Sequence, residues 1–367
     1  GCYMNTLFRL LICASLSAQT LEIVIIGAGV TGTYTGWRLT ENGKKDVHIF
    51  DGSDRVGGRL YTTFFPNMPN VPVELGAMHY LSSHQKLAKL LAHLELPTAP
   101  FTTGDENNLL YLRGKRFHEK EKAKLPYGVS QDPQTIMLSL FKLLDPSLTP
   151  QNWEKKKNDL SYKGESLYEV SWQGFLLDNL SSEAFQLLVD LDYVQMVADI
   201  SVATALSSFT QNGQLLKLTK GFQTLPEELA KKFKALGGTI TLKHHLMSVS
   251  YEGERENFRY RLLFYQEDGS FKSVYAKHLI FTITPPALKL LAGQSPALKD
   301  ETFHQNLDLL QPNPQTKLFL AFPEPWWHKL DLYSGSSLTT LPIGRCTYFE
   351  SEEQNALILA SSQNLYT

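Results

Sequence analysis

The tightest constraint on this chain is a glycine-spaced turn. Gly27, Ala28, Gly29, Val30, Thr31 and Gly32 fit GxGxxG between a β-branched run at residues 22–26 and a stretch of helical spacing at 31–41, closed by Asn42 and Gly43. Small residues there let backbone amides approach a pyrophosphate at the positive end of the helix. A second apolar run, residues 47–50, ends in Asp51. That carboxylate stands roughly 20 residues after the turn, where it can accept from a ribose hydroxyl. Strand, turn, helix and strand make a βαβ unit, and the spacing predicts a bound dinucleotide.

Downstream the hydrophobic period changes. From Gln85 to about Ser208 it is mostly helical: Ile136, Met137, Leu140, Phe141 and Leu144 repeat on one face, and Ser182 reads as the cap of a helix through Glu183 to Tyr193. Pro146, Pro150 and Lys155 to Lys157 mark a solvated connection. Thr224 and Glu227 fit a capping box, opening a helix with Leu225, Leu229 and Phe233 on its buried face and Gly237 and Gly238 at its end. A period of two then predicts strands at residues 239–243, 246–251, 258–265 and 278–283, and again at 316–322, 346–349 and 356–360.

The segment after Asp51 narrows the dinucleotide. Asp54, Arg55, Val56, Gly57, Gly58 and Arg59 pair two glycines, which permit close backbone approach, with two arginines, which offer planar donors to a diphosphate or flavin edge. This segment resembles the second glycine motif of the flavin amine oxidases, R-x-G-G-R, and the resemblance implies FAD as the cofactor. Val73, Glu74, Leu75, Gly76, Ala77 and Met78 resemble that family's segment leading from the FAD domain to the flavin ring, which adds Gly76, Ala77 and Met78 to the implied cofactor contacts. Leu246 and Val249, with Ile280, Phe281, Thr282 and Pro285 further on, resemble the adenine-side strand and its following turn. Leu246 would lend backbone contacts to the adenine, although an ordinary core residue satisfies the pattern equally.

Thr316, Lys317, Leu318, Phe319 and Leu320 resemble the strand in which the family places a lysine that holds a water against flavin N5. The resemblance therefore implies a catalytic role for Lys317. An ammonium is costly to bury unless paired or hydrated, so a wet cavity would account for it; the alternative is a half-exposed strand with Lys317 turned to solvent. Trp326 and Trp327 read as packing residues.

Within the family, residues 76–94, Arg113 to Lys115 and Lys220 to Phe222 are most similar to the L-amino-acid oxidases. That branch places a substrate-clamping arginine where this chain has His79, and a tyrosine near Ser361 or Ser362. A histidine lacks the rigid fork of an arginine, so carboxylate recognition is weakened or lost, with His79 and Ser361 as the substrate-side candidates; a hydrogen-bonded structural histidine accounts for His79 equally. The implied activity is FAD-dependent oxidation of a primary amine or L-amino acid. Hydride transfer to flavin N5 would give an imine, then a keto acid or aldehyde, while oxygen is reduced to hydrogen peroxide. A desaturase or porphyrinogen-type oxidase and a non-catalytic flavin-binding protein are the other readings. The implied fold is α/β: a Rossmann-like FAD-binding domain (residues 21–77 and 216–298), a mixed-sheet substrate domain (78–145 and 299–367) and a helical insertion (146–215).

Charge and composition set further bounds. With 35 basic and 37 acidic residues, there is no electrostatic reason to expect a nucleic acid partner; a small-molecule amine or amino acid and oxygen fit better, in a chain that could form a homodimer. Cys2, Cys13 and Cys346 give no disulfide framework and no cysteine-based zinc site, and His244 and His245, adjacent on a strand, point to opposite faces, so no metal is expected. Arg9, an apolar run at residues 10–16 and small residues Ser15 and Ser17 read as a leader within residues 1–20, cleaved before Ala18, which implies a secreted or periplasmic protein; the alternative is an apolar lead-in to the first strand of a cytoplasmic one. No later run reaches the ~18 to 20 apolar residues of a membrane span. The resemblance also implies that relatives continue for roughly another hundred residues beyond Thr367, into a last glycine-rich FAD segment.

Overall fold

The computed structural model describes residues 18–191, 200–310, 312, 314–349 and 356–364. The leader read at residues 1–20 falls mostly outside them, as do Cys2, Cys13 and Tyr193. The chain divides into two compact units, Gly1–His79 with Lys86–Ala99 and Lys217–Pro312, and Tyr80–Gln85 with Pro100–Leu216 and Asn313–Thr367.

The βαβ unit organises the first of these. Strands β1 (Thr20–Ile26) and β2 (Val47–Phe50) run parallel, with Ile23 opposite Val47 and Ile26 opposite Phe50, and helix α1 (Val30–Glu41) joins them. Helix α2 (Thr224–Ala235) leads into β3 (Thr239–Thr241), which extends the sheet parallel to β2. The chain then makes an antiparallel meander of β4 (His244–Glu252), β5 (Arg259–Gln266) and β6 (Phe271–Phe281), and β6 returns parallel to β1. The sheet order is β3-β2-β1-β6-β5-β4. Val24, Ile26, Phe50, Val249, Leu262 and Phe264 form its core. Leu225, Leu229 and Phe233 are buried on α2 as their spacing predicts, and Phe233, with no exposed surface, lies beneath Gly36 of α1. Losing a ring so enclosed costs about 3–5 kcal/mol.

Three local expectations are corrected. The cap of α2 is Gln223, not Thr224: the Thr224 hydroxyl donates instead to the Gly221 carbonyl (2.6 Å), and Glu227 accepts from the Gln223 side chain (3.2 Å). The turn before the helix thus captures the hydroxyl that a capping box would need. Ser181 rather than Ser182 caps an earlier helix, Ser182–Asp190, by accepting from Ala184 N–H (3.2 Å). The largely helical stretch also contains a hairpin, Leu109–Leu112 with Lys115–His118. Its two turn residues, Arg113 and Gly114, both have positive φ (50° and 74°), the type I′ geometry that matches strand twist. The Arg-Gly pair lacks the Asn or Asp that usually advertises such a turn.

The second unit carries a six-stranded mixed sheet. Its order is Gln315–Phe322, Ala356–Asn364, Arg345–Tyr348, Gly335–Thr339, Leu109–Leu112 and Lys115–His118, with only the Gly335–Thr339 and Leu109–Leu112 pair parallel. Helices Pro133–Leu144, Trp172–Asn179, Ser182–Asp190 and Val202–Phe209 pack around Phe141, Trp153, Trp172, Phe175 and Leu206. Asp132, Ser171, Ser181 and Ser201 cap them, each side chain accepting from the backbone amide three residues on.

Arg113 ties the hairpin to the helix Ser182–Asp190. Its guanidinium meets Glu183 through two bonds (2.8 and 2.9 Å), stacks over Tyr127 at 4.1 Å and donates to the Pro126 carbonyl, while Gly128 N–H adds a further bond to Glu183. The Arg113 hydrogen bonds, then the Gly128 amide, hold the Glu183 carboxyl down at about 2, below its ordinary 4.5. A depressed carboxyl contributes stability above its unfolded value and loses it as pH falls through the folded one. Glu183→Gln is therefore expected to lower the melting temperature slightly at pH 7, with the gap to wild type closing between pH ~5 and ~2. A gap of constant size across that range in thermal melts would contradict the assignment.

Candidate functional site

The first glycine motif is shaped by backbone contact. An added Cβ on Gly32 would sit 1.8 Å from the Gly27 carbonyl oxygen, so only glycine lets α1 start so close to the end of β1. Gly29 caps α1 without a side-chain hydrogen bond, and the first turn holds no acidic residue, so the amides at this end are not spent on a side chain. Thr31 is exposed on that turn. Thr282, which directly follows β6, donates to the carbonyls of Ile26 (2.9 Å) and Gly27 (3.1 Å) and braces the turn from behind. The turn read as following the adenine-side strand thus sits beside β1, at the first glycine motif, whereas Leu246 and Val249 stand on β4.

Asp51 lies at the end of β2, half-buried, with both carboxylate oxygens oriented. Oδ2 accepts from Ala28 N–H at 2.7 Å, and Oδ1 accepts from the amide and hydroxyl of Ser53, each at 2.7 Å. Carboxylate oxygens have lone pairs to spare beyond these bonds. Ser53 was missed by sequence reading, although an acidic residue two positions before a serine is a known turn signature.

The second glycine motif is clamped against the first. Gly57 N–H donates to the Ala28 carbonyl at 3.0 Å, and Gly29 and Gly57 form an isolated parallel bridge. The segment ending in Met78 joins the same cluster: Ala77 N–H donates to the Arg59 carbonyl (3.3 Å), and a Cβ on Gly76 would lie 1.9 Å from that oxygen. The two arginines divide. Arg55 donates to the carbonyls of Gly58 (2.7 Å) and Leu60 (3.4 Å) and stacks 3.8 Å over Tyr61, so its guanidinium holds the loop closed. Arg59 is exposed and has no ion pair among the described residues.

A hydrogen-bonded chain from α2 supports this cluster and left no sequence signal. Glu74 accepts from Phe222 N–H (2.8 Å) and from the Thr62 hydroxyl (3.1 Å). Thr62 accepts in turn from Gln223 N–H (3.1 Å), and the Gln223 amide donates to Val56 O (3.1 Å). Apart from the Thr62–Glu74 bond, these pairs lie 148 to 167 residues apart in sequence, which local patterns cannot reveal.

Gly27, Gly29, Thr31, Gly32, Asp51, Arg55, Gly58, Arg59, Gly76, Ala77, Met78, His79 and Leu246 all belong to the first unit. His79 is exposed, and Leu246 stands on β4 where the register with β5 shifts. Lys317 and Ser361 belong to the second unit. Lys317 is half-buried on the strand Gln315–Phe322 and shares its face with Phe319 and Ala321, whereas Thr316, Leu318 and Leu320 on the other face are exposed. Phe319 stacks with Phe349 at 6.2 Å, so Lys317 stands on the aromatic face of its strand. The Ser361 side chain lies outside the described residues; its backbone pairs with Leu318. Trp327 is fully buried as packing, and no cluster of three or more metal-binding side chains occurs among the described residues.

The close-packed glycines, the uncapped helix start and the anchored carboxylate fit the phosphates and ribose of a dinucleotide. Comparison with known proteins agrees with this geometry. Residues 30–361 match the family described as flavin containing amine oxidoreductase. Achacin of Lissachatina fulica is 26% identical over 84% of this chain and 62% of its own length, and an L-amino-acid oxidase of Mus musculus is 28% identical over 94% and 54%. The chain thus spans somewhat more than half the length of these curated relatives. A putrescine oxidase solved with putrescine superposes with a TM-score of 0.70 at 18% identity, covering 93% of this chain and 75% of that one. A cyclohexylamine oxidase from Brevibacterium oxydans gives 0.68 at 17%, covering 93% and 74%, and at such identities both report the fold. The α/β fold with its Rossmann-like FAD-binding unit is therefore that of the flavin amine oxidases, and the chain belongs to the flavin-containing amine oxidoreductase family.

Proposed function

We propose that this chain belongs to an FAD-dependent oxidase acting on a primary amine or amino acid, with oxygen as the final acceptor and an imine and hydrogen peroxide as products. The observation that carries this reading is the backbone cluster of Gly27–Gly32, Gly57–Arg59 and Gly76–Met78 beside Asp51, in a chain of this family. FAD, when bound, supplies a two-electron acceptor for the C–H bond beside the substrate nitrogen.

The residues of the chain bind, orient and manage protons. Amides at the start of α1 hold the diphosphate, with Arg59 adding charge, and Asp51 accepts from the ribose hydroxyls. Arg55 keeps the second loop in shape, which leaves Arg59 as the cation of that motif for the cofactor. Lys317, on the aromatic face of its strand, would hold a water and pass a proton during reoxidation or imine hydrolysis. His79 offers an exposed imidazole where the L-amino-acid oxidases place an arginine, so the reading favours an amine, or an amino acid held without a two-pronged carboxylate clamp. Export through the leader read at residues 1–20 and a homodimer belong to the same reading. Among the described residues, no helix is long and apolar enough to cross a membrane.

Two outcomes are expected. Arg59→Met should weaken FAD binding about 10- to 100-fold, the value of a charge-assisted hydrogen bond, without lowering the melting point of the apoprotein; Arg55→Met should lower that melting point. Equal effects of the two in calorimetric FAD titrations and thermal melts would contradict the division of roles. Lys317→Met should slow peroxide release by on the order of 100-fold while the bound flavin stays visible in the absorption spectrum. Unchanged peroxide output would remove Lys317 from the chemistry.

A further inference from the structure

His244 and His245 open β4, and strand alternation puts them on opposite faces. His244 packs between Phe50 and Phe264, with ring centroids 5.8 Å from each, whereas His245 is exposed. The start of β4 is bonded to the segment that follows β2. Lys243 N–H donates to the Ser53 carbonyl at 2.8 Å and His244 N–H to the Asp51 carbonyl at 2.9 Å, which fixes the backbone just before His245. Gly52 lies between those two carbonyls, and the His245 side chain covers it. A Cβ added to Gly52 would stand 2.9 Å from the His245 Nδ1 and 3.5 Å from its Cα and Cβ. Gly52 has no positive φ, so its backbone conformation does not call for glycine; the room taken by the imidazole does. Among the described residues, no hydrogen bond or ion pair engages that imidazole. A planar ring is therefore seated next to the carboxylate read as the ribose anchor, with much of its surface open to solvent.

We infer that His245 is a platform for the base of the cofactor: its imidazole packs against a face of the adenine, on a seat that Gly52 clears. The inference rests on the reading of Asp51 as the partner of the adenosine ribose. The base hangs from that same sugar, so it lies within reach of the residues that flank Asp51, and Gly52 is the next residue in the chain. Packing one flat ring on another removes surface of both from water and needs no hydrogen bond. The contact thus adds affinity for the adenosine half of the ligand, apart from the amides that hold the diphosphate.

The test is calorimetric titration of the flavin-free full chain with FAD and with ADP, which carries the same adenosine and diphosphate. Wild type is compared with His245→Ala, His245→Phe, Gly52→Ala and the double variant. His245→Ala should weaken both ligands by the same factor, roughly ten-fold, and His245→Phe should restore most of the loss. Gly52→Ala should weaken them by displacing the ring, and should cost nothing further in the His245→Ala background. Because His245 is exposed, its variants should melt with wild type. Equal affinity of wild type and His245→Ala overturns the proposal. So does a His245→Phe variant as weak as His245→Ala, which would assign the imidazole a hydrogen bond instead, and so does a loss seen with FAD but not with ADP. Asp51→Asn separates the inference from the reading beneath it. Unchanged ADP affinity there would overturn the ribose assignment and the inference with it, whereas a weakened Asp51→Asn beside an unaffected His245→Ala would remove the base contact alone.

Discussion

The contact on which the site depends is backbone against backbone. Gly32 lies against the Gly27 carbonyl, Gly57 donates to Ala28, and Gly76 lies against the Arg59 carbonyl. Any side chain at Gly32 or Gly76 would overlap an atom that has no room to move, because that atom belongs to the main chain of a neighbouring segment. Three segments from residues 27 to 78 therefore share one surface, which is the surface proposed to hold the cofactor. The parallel sheet beneath fixes where this surface lies, since the turn follows directly from β1 and Asp51 from β2.

Much of this was legible in the sequence because its causes are local. A strand ending in glycine, a helix starting three residues later and an acidic residue after the next strand are set by short-range sterics, and the residues named from them lie together in the first unit. The second glycine motif was equally readable, but the split between Arg55 and Arg59 was not. Both are arginines in one loop, and only the fold shows that one guanidinium is consumed by the carbonyls of Gly58 and Leu60.

What sequence reading missed depends on contacts across long separations or on competition between near-equal local choices. The Glu74, Thr62 and Gln223 chain joins residues brought together only by folding. The caps of two helices moved by one residue because a neighbouring hydroxyl or amide found a better partner. The Arg113–Gly114 hairpin hid inside a helical period because its turn uses a positive-φ arginine in place of the usual asparagine.

The central claim is that these glycine backbones and Asp51 cradle the phosphates and ribose of FAD. It is tested most directly by titrating the flavin-free chain with FAD in a calorimeter, beside the Gly32→Ala variant. The account predicts saturable binding of one FAD per chain, abolished in the variant. No heat from the unaltered chain, or equal binding by the variant, would contradict it.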